Sequence, residues 1–256
     1  MFRSGYVRSS APVPATGAAA DRTSSAYPRS KPIRQANRMT HDPTGMWARE
    51  DSHVLTLLTA HLERGDVFVD VGANEGIFTI PIAHHVGAGG RVLAFEPGPD
   101  TARQLRIRAT AANLLDRVSI YELALAAGDG QHLLRADGEH PADSTKRSLY
   151  IDGPIVAEVP VRAFDGMIAS AEITLDRGLH AVKIDVEGAE LQVLEGMERA
   201  IKLHLPRMIV VEVIERHMRR AGYGTPELFE FLRHLGYVAP DVTNEGLMFD
   251  AAFVPA

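Results

Sequence analysis

A ten-residue stretch, VFVDVGANEG from Val67 to Gly76, constrains this chain more than any other. Val67, Phe68, Val69 and Val71 make the apolar run of a strand buried on both faces, with Asp70 its only polar member. Gly72 and Gly76 then bracket Ala73, Asn74 and Glu75, and the following IFTIPIA can open a helix. Strand, tight glycine turn and helix are the parts with which doubly wound α/β folds hold a ligand beyond the carboxyl ends of their strands. The pattern has a second half. RVLAFEP, Arg91 to Pro97, reads as the next strand and ends on Glu96, 20 residues after Gly76. Neighbouring strands lie about 4.8 Å apart, so a carboxylate ending one strand can serve a ligand held by the turn of the other. At this spacing it can accept hydrogen bonds from both hydroxyls of a ribose.

The turn also discriminates between cofactors. A dinucleotide fingerprint reads GxGxxG, and its second glycine lets the backbone approach a pyrophosphate. Here that position is Asn74. A side chain there, after an acid in the strand, suits a ligand with an amino-acid moiety and no phosphate. A second strong signal is HAVKIDVEGAELQVLEGM, His180 to Met197. Ala181 to Val186 reads as a strand whose alternation sets Lys183 and Asp185 on one face at its carboxyl end, with Glu187 in the turn and a helix from about Gly188 or Ala189. Lys183 and Asp185 could form a structural ion pair. Their place at the strand end, where such a sheet puts its ligand, favours a functional reading.

Composition sets the remaining bounds. A chain of 256 residues with 45% hydrophobic content can bury one sizeable core. The absence of cysteine excludes disulfides, thiolate metal sites and cysteine nucleophiles. No apolar run approaches a membrane span, and a cytoplasmic location is expected. Residues 1–40 carry seven basic side chains and one acid, leaving the rest of the chain at net −12, which argues against a broad nucleic-acid surface. Residues 1–40 lack apolar periodicity and read as a disordered basic tail, so the domain is expected over 41–256. Trp47 to Leu62 has helical spacing. Asp100 or Thr101 can cap a helix through Ala112, with Arg103, Arg106 and Arg108 on a solvated face. VSIYELAL, Val118 to Leu125, reads as one strand. Three short β-like runs within 128–161 suggest a hairpin-like insertion, whose loop Gly138 to Arg147 is a lid, an acceptor contact or plain surface. PRMIVVEV is a buried strand, TPELFEFLRHLGY a helix capped by Thr225, and GLMFDAAFV a last strand. The eleven histidines form no ligand spacing, and His84, His85 and His217 read as surface or packing residues. Asp185 and Glu187 offer Mg²⁺ only two donors, so no metal is expected.

DVGANEG resembles the first motif of class I methyltransferases. VFVDVGANEG, VLAFEP, LALAAGDG and above all VKIDVEGAELQVLEGM resemble the FkbM family of S-adenosylmethionine-dependent methyltransferases, over about residues 50–240. The resemblance implies an α/β, doubly wound, mostly parallel seven-stranded sheet with helices on both faces. It also implies O-methylation of a sugar, polyketide or other small metabolite with a hydroxyl acceptor. In that reading Asp70, Gly72, Asn74 and Gly76 surround the methionine part of S-adenosylmethionine, Glu96 binds its ribose, and Asn113 and Ala124 lie towards its adenine. Lys183, Asp185 and Glu187 are expected at the reaction centre: Asp185 as the base, Lys183 holding it or steering the acceptor oxygen, and Glu187 binding the ammonium group or capping the next helix. VPVRAFDGM departs from the family wording, retaining only Asp165, and could be acceptor-specific. A nucleotide-dependent oxidoreductase and a noncatalytic cofactor-binding protein are the alternatives.

Overall fold

The computed structural model describes residues 49–144, 146–240 and 248–256; the expected tail and the start of the helix from Trp47 lie outside them. In chain order the elements are α1 (Arg49–His61), β1 (Val67–Val71), α2 (Thr79–Val86), β2 (Arg91–Phe95), α3 (Pro99–Ala111) and β3 (Val118–Tyr121). A short lobe follows, made of β4 (Ala124–Leu125), β5 (Gly130–Ala136), β6 (Arg147–Ser148) and β7 (Ile155–Arg162). The chain then returns through α4 (Phe164–Ala169), β8 (Ala181–Ile184), α5 (Glu190–Gly196), α6 (Glu198–His204), β9 (Met208–Ile214) and α7 (Glu215–Arg220). It ends with α8 (Thr225–His234), β10 (Tyr237–Val238) and β11 (Met248–Pro255).

Seven strands form one sheet in the order β10-β11-β9-β8-β1-β2-β3. β3, β2, β1, β8 and β9 run parallel, while β11 is antiparallel to β9 and to β10. This is the expected doubly wound α/β sheet. Its central strands are apolar throughout because helices cover both faces. Val69, Val71, Leu93, Phe95, Val182 and Ile184 face α4, α5, α6 and α8. Phe68, Val92, Ala181 and Val210 face α1 and α2, whose Val54, Leu58, Ile82 and Val86 recur at helical spacing. Register then aligns the functional ends: Asp70 pairs with Ala94 on one side and with Lys183 on the other. The turns after β1, β2 and β8 therefore meet at one edge of the sheet.

The run VSIYELAL is two strands rather than one. β3 ends at Tyr121, and β4 leaves the main sheet to pair in parallel with β7. The apolar content persists because Leu125 packs into the main core while Ala124 packs into the lobe. A continuous apolar run cannot show that its two halves serve different cores. The lobe itself is a four-stranded sheet, β4-β7-β5-β6, where a hairpin was expected; its core is Leu134, Leu149, Val159 and Val161 with Ala124 and Ala126. Smaller differences occur at helix ends. Gly98, not Asp100 or Thr101, occupies the N-cap of α3, and Gly224, not Thr225, that of α8. The helix after the KIDVEG run breaks at Met197 into α5 and α6. Among the described residues no helix is long and apolar enough to cross a membrane.

Candidate active site

The turn after β1 lies hard against the end of β8. Gly72 has φ +81°, and a Cβ there would stand 1.7 Å from the carbonyl oxygen of Asp185, so only glycine fits. Asn74 follows with φ 47°, and its N–H donates to Oε2 of Glu96 at 2.8 Å. Oε1 of Glu96 accepts from the Gly98 N–H at 2.8 Å and from Thr101 Oγ1 at 2.7 Å. Glu96 thus fastens the turn after β1 to the start of α3. Burial pushes its pKa up, and these three hydrogen bonds with the charge of Arg147 pull against that rise. A carboxylate has about four acceptor positions, so one remains for a ligand hydroxyl where the sequence suggested two.

These turns border a cavity of about 300 Å³. Gly72, Ala73, Asn74, Glu96 and Ala124 line it, together with apolar Ile77, Phe95 and Leu125. The Asn74 Oδ1 is buried and has no hydrogen-bond partner among the described residues. Asp185, Glu187 and Glu212 line the cavity too, and the lobe with its loop contributes Ser144, Lys146, Arg147, Ser148 and Leu149. The loop that was open between lid, acceptor contact and plain surface therefore borders the cavity at its carboxyl-terminal end. Arg147 holds it down with two bonds to Asp100, at 2.5 and 2.9 Å. That guanidinium keeps Asp100 ionised, its pKa held down to about 2.

Three expected cofactor contacts are placed elsewhere. Asp70 is fully buried under the turn, outside the cavity lining, where its Oδ2 accepts from Thr79 Oγ1 at 2.5 Å. Burial raises its pKa to about 6 despite the nearby charge of Lys183. Gly76, φ +93°, packs against Leu105 and does not line the cavity. Asn113, φ 56°, ends α3 and its N–H bonds the carbonyl of Thr110. Since α3 starts beside Glu96 and runs 13 residues away, Asn113 sits at the opposite end of the sheet from the cavity. The spacing that suggested it cannot reveal a helix's direction relative to a pocket.

The KIDVEG run builds the acidic wall. Lys183 is 2% exposed, lies under the wall outside the lining, and donates from Nζ to Asp185 Oδ2 at 2.6 Å. Burial opposes its charge, but Asp185 and Asp70 outweigh burial and raise its pKa; the ammonium also sits 4.4 Å from the centroid of the Phe78 ring. For Asp185 burial acts upwards, while Lys183 and a hydrogen bond from Glu212 lower the pKa overall. Glu212 moves the other way, pushed up by burial and by the Asp185 charge. Carboxylate oxygens of Asp185, Glu187 and Glu212 all lie within 4.8 Å of one another. They are the donor type for a hard cation. The Lys183 ammonium, bonded to Asp185, balances part of that charge.

Three residues of this wall were not recognised as such in the sequence. Glu212 sits mid-strand in β9, opposite Asp250 of β11, and its role depends on strand order. Glu190 is 1% exposed and braces the turn, accepting from the Gly188 N–H at 2.9 Å and from the Tyr223 hydroxyl at 2.9 Å. His217, expected on the surface or in packing, is 1% exposed with Nδ1 2.6 Å from Oε2 of Glu187. Glu187 holds φ 57° and Gly188 φ +110°, a left-handed pair that turns the Glu187 side chain towards His217 and the cavity. The non-glycine member costs about 1–2 kcal/mol, which the buried contacts must offset.

Comparison with known proteins agrees with this geometry. A model of the methyltransferase FkbM domain matches residues 70–239. The chain is 32% identical over 168 residues to the hexuronic acid methyltransferase AglP of Haloferax volcanii, covering 64% of this chain and 63% of that protein. It is 31% identical over 175 residues to the 31-O-demethyl-FK506 methyltransferase FkbM of Streptomyces tacrolimicus, covering 59% and 66%. The chain thus spans just under two thirds of each of these relatives. Its fold is similar to a solved structure from Clostridium thermocellum whose rRNA-methylase assignment is provisional, with a TM-score of 0.50 and 15% identity over 81% of this chain and 98% of that one. Since the family match takes in the glycine turn, Glu96 and the whole KIDVEG run, the chain belongs to the FkbM methyltransferase family.

Proposed function

We propose that this chain transfers a methyl group from S-adenosylmethionine to a hydroxyl of a small polar acceptor, such as a sugar or polyketide. The observation that carries the reading is the junction of Asn74 and Glu96 at a cavity that Asp185, Glu187 and Glu212 also line. The residues fit the cofactor. The unpartnered Asn74 Oδ1 and the remaining acceptor position of Glu96 suit hydroxyl and amino groups, Ala124 and Leu125 offer an apolar wall, and Gly72 lets the turn approach closely. When bound, the cofactor supplies a methyl group on an electrophilic sulfonium. The protein's part is to align the acceptor oxygen about 3 Å from that carbon, exclude water and accept a proton. The lobe over the cavity serves exclusion, and Asp185, Glu187 and Glu212 are candidate proton acceptors, with Lys183 fixing Asp185 from beneath.

The relatives support a small-molecule acceptor: one is named for a hexuronic acid and the other for 31-O-demethyl-FK506. Calorimetry with S-adenosylmethionine beside NADH and NADPH tests the cofactor, and a methyl-transfer assay across uronic acids, neutral hexosides and macrolide alcohols tests the acceptor. Binding of the nicotinamide cofactors alone would favour the oxidoreductase. Binding of S-adenosylmethionine with no transfer to any acceptor class would favour a noncatalytic protein.

A further inference from the structure

The three carboxylates of the acidic wall are not equivalent, and the difference decides which one can take a proton if the methyl-transfer reading holds. Asp185 is already engaged: its Oδ2 accepts from the buried Lys183 ammonium at 2.6 Å. A proton arriving on Asp185 would neutralise the partner of a buried ammonium. Glu187 has a different surround. It is 7% exposed, lines the cavity, and faces Nδ1 of His217 at 2.6 Å. That contact is an ion-pair distance without hydrogen-bond alignment, and neither atom has a hydrogen-bond partner among the described residues. Arg216 Nε donates to the other ring nitrogen, Nε2, at 3.0 Å. A nitrogen that accepts carries the lone pair, so the hydrogen of the neutral ring is on Nδ1, the nitrogen 2.6 Å from Glu187 Oε2.

We propose that Glu187, not Asp185, accepts the proton in methyl transfer, and that His217 is the positioning residue that aims it. The acceptor oxygen forms its bond to the methyl carbon, the carbon–sulfur bond breaks with its electron pair left on sulfur, and the hydroxyl proton passes to Glu187. His217 donates Nδ1–H to the carboxylate and keeps its proton throughout. The charge environment agrees. Burial raises the Glu187 pKa, with Asp185 adding to the rise and His217 and Arg216 opposing it. Lys183 and Glu212 complete the charged groups on that side. A carboxylate whose pKa is raised is the better base, whereas Asp185 moves down.

Two measurements on the full chain need no acceptor. Long-range ¹H–¹⁵N spectra of labelled histidine should show His217 as the Nδ1–H tautomer, and the Nε2–H form would overturn the proposal. With ¹³C-glutamate, the carboxyl signal lost in Glu187→Gln identifies Glu187; its titration should move to higher pH in His217→Leu and stay near parental in His217→Asn, whose amide stands where Nδ1–H stood. An unmoved titration in both variants overturns it. On an acceptor found by the assay above, Glu187→Gln should lower kcat about 10²–10⁴-fold and His217→Leu about tenfold or more, with little change in the KM for S-adenosylmethionine. The acid limb of the rate profile should shift upwards in His217→Leu. If Asp185→Asn abolishes that limb and Glu187→Gln keeps it, Asp185 is the base. Failure of the parent to bind S-adenosylmethionine would instead sink the methyltransferase reading itself.

Discussion

Gly72 and Glu96 show how much one residue can decide in this fold. At Gly72 a methyl group would overlap the Asp185 carbonyl at 1.7 Å with φ at +81°. Left-handed strain and overpacking together put Gly72→Ala at about 2–5 kcal/mol of lost stability. Urea unfolding measures this, and an unchanged midpoint would show that the turn gives way cheaply. Glu96 has two duties, because its three hydrogen bonds tie the turn after β1 to α3 while one acceptor position faces the cavity. Glu96→Ala is therefore expected to weaken S-adenosylmethionine binding by about 1.5–3 kcal/mol and also to lower the melting temperature. Calorimetry and thermal melts on one preparation separate the two effects. Parental affinity in the folded variant would remove Glu96 from the cofactor site.

At the scale of elements, Asp165 illustrates a motif residue with a structural purpose. It opens α4, and its two carboxylate oxygens accept from the N–H groups of Arg199 and Ala200, at 2.8 and 2.9 Å, in the first turn of α6. This capping across two helices fixes α4 on α6 and gives a physical reason for an aspartate there, where the sequence suggested an acceptor contact. Asp165→Ala should cost about 1 kcal/mol of stability and leave S-adenosylmethionine affinity unchanged. A change in acceptor KM at unchanged stability would restore the acceptor role. The break between α5 and α6 at Met197 is part of the same arrangement, since it frees the N–H groups that Asp165 caps.

For the molecule as a whole, the pH dependence of stability should carry the mark of its buried carboxylates. Asp70 is the clearest, with its folded pKa raised by burial from 3.8 to about 6. A raised folded pKa means that the fold prefers the protonated form. The contribution is complete below pH 3.8 and is lost as the pH climbs through about 6, amounting to about 3 kcal/mol. Asp70→Asn keeps an acceptor for Thr79 and has no proton to lose, so its stability should decline less than the parent's between about pH 4 and pH 6. Urea titrations across that window test this, and parallel curves would assign the decline to other groups.

Much of this protein follows from local pattern alone. The β1 turn, the Glu96 strand end and the KIDVEG turn are each contiguous, and backbone strain or strand alternation ties their residue types to position. Parallel strands in register then bring their carboxyl ends together, so Gly72, Asn74, Glu96, Asp185 and Glu187 share a site as their spacing implies. Tertiary structure alone decided what depends on distant segments or on the depth of a side chain. Glu212 joins the acidic wall because β9 lies next to β8, and His217 reaches Glu187 because α7 starts directly after β9. Asp70 and Lys183 sink beneath the site they were expected to line, since α2 and Phe78 cover their face of the sheet. Asn113 falls at the far end because a helix carries its last residue away from its first. Periodicity records which face a residue occupies, and only packing determines what that face meets.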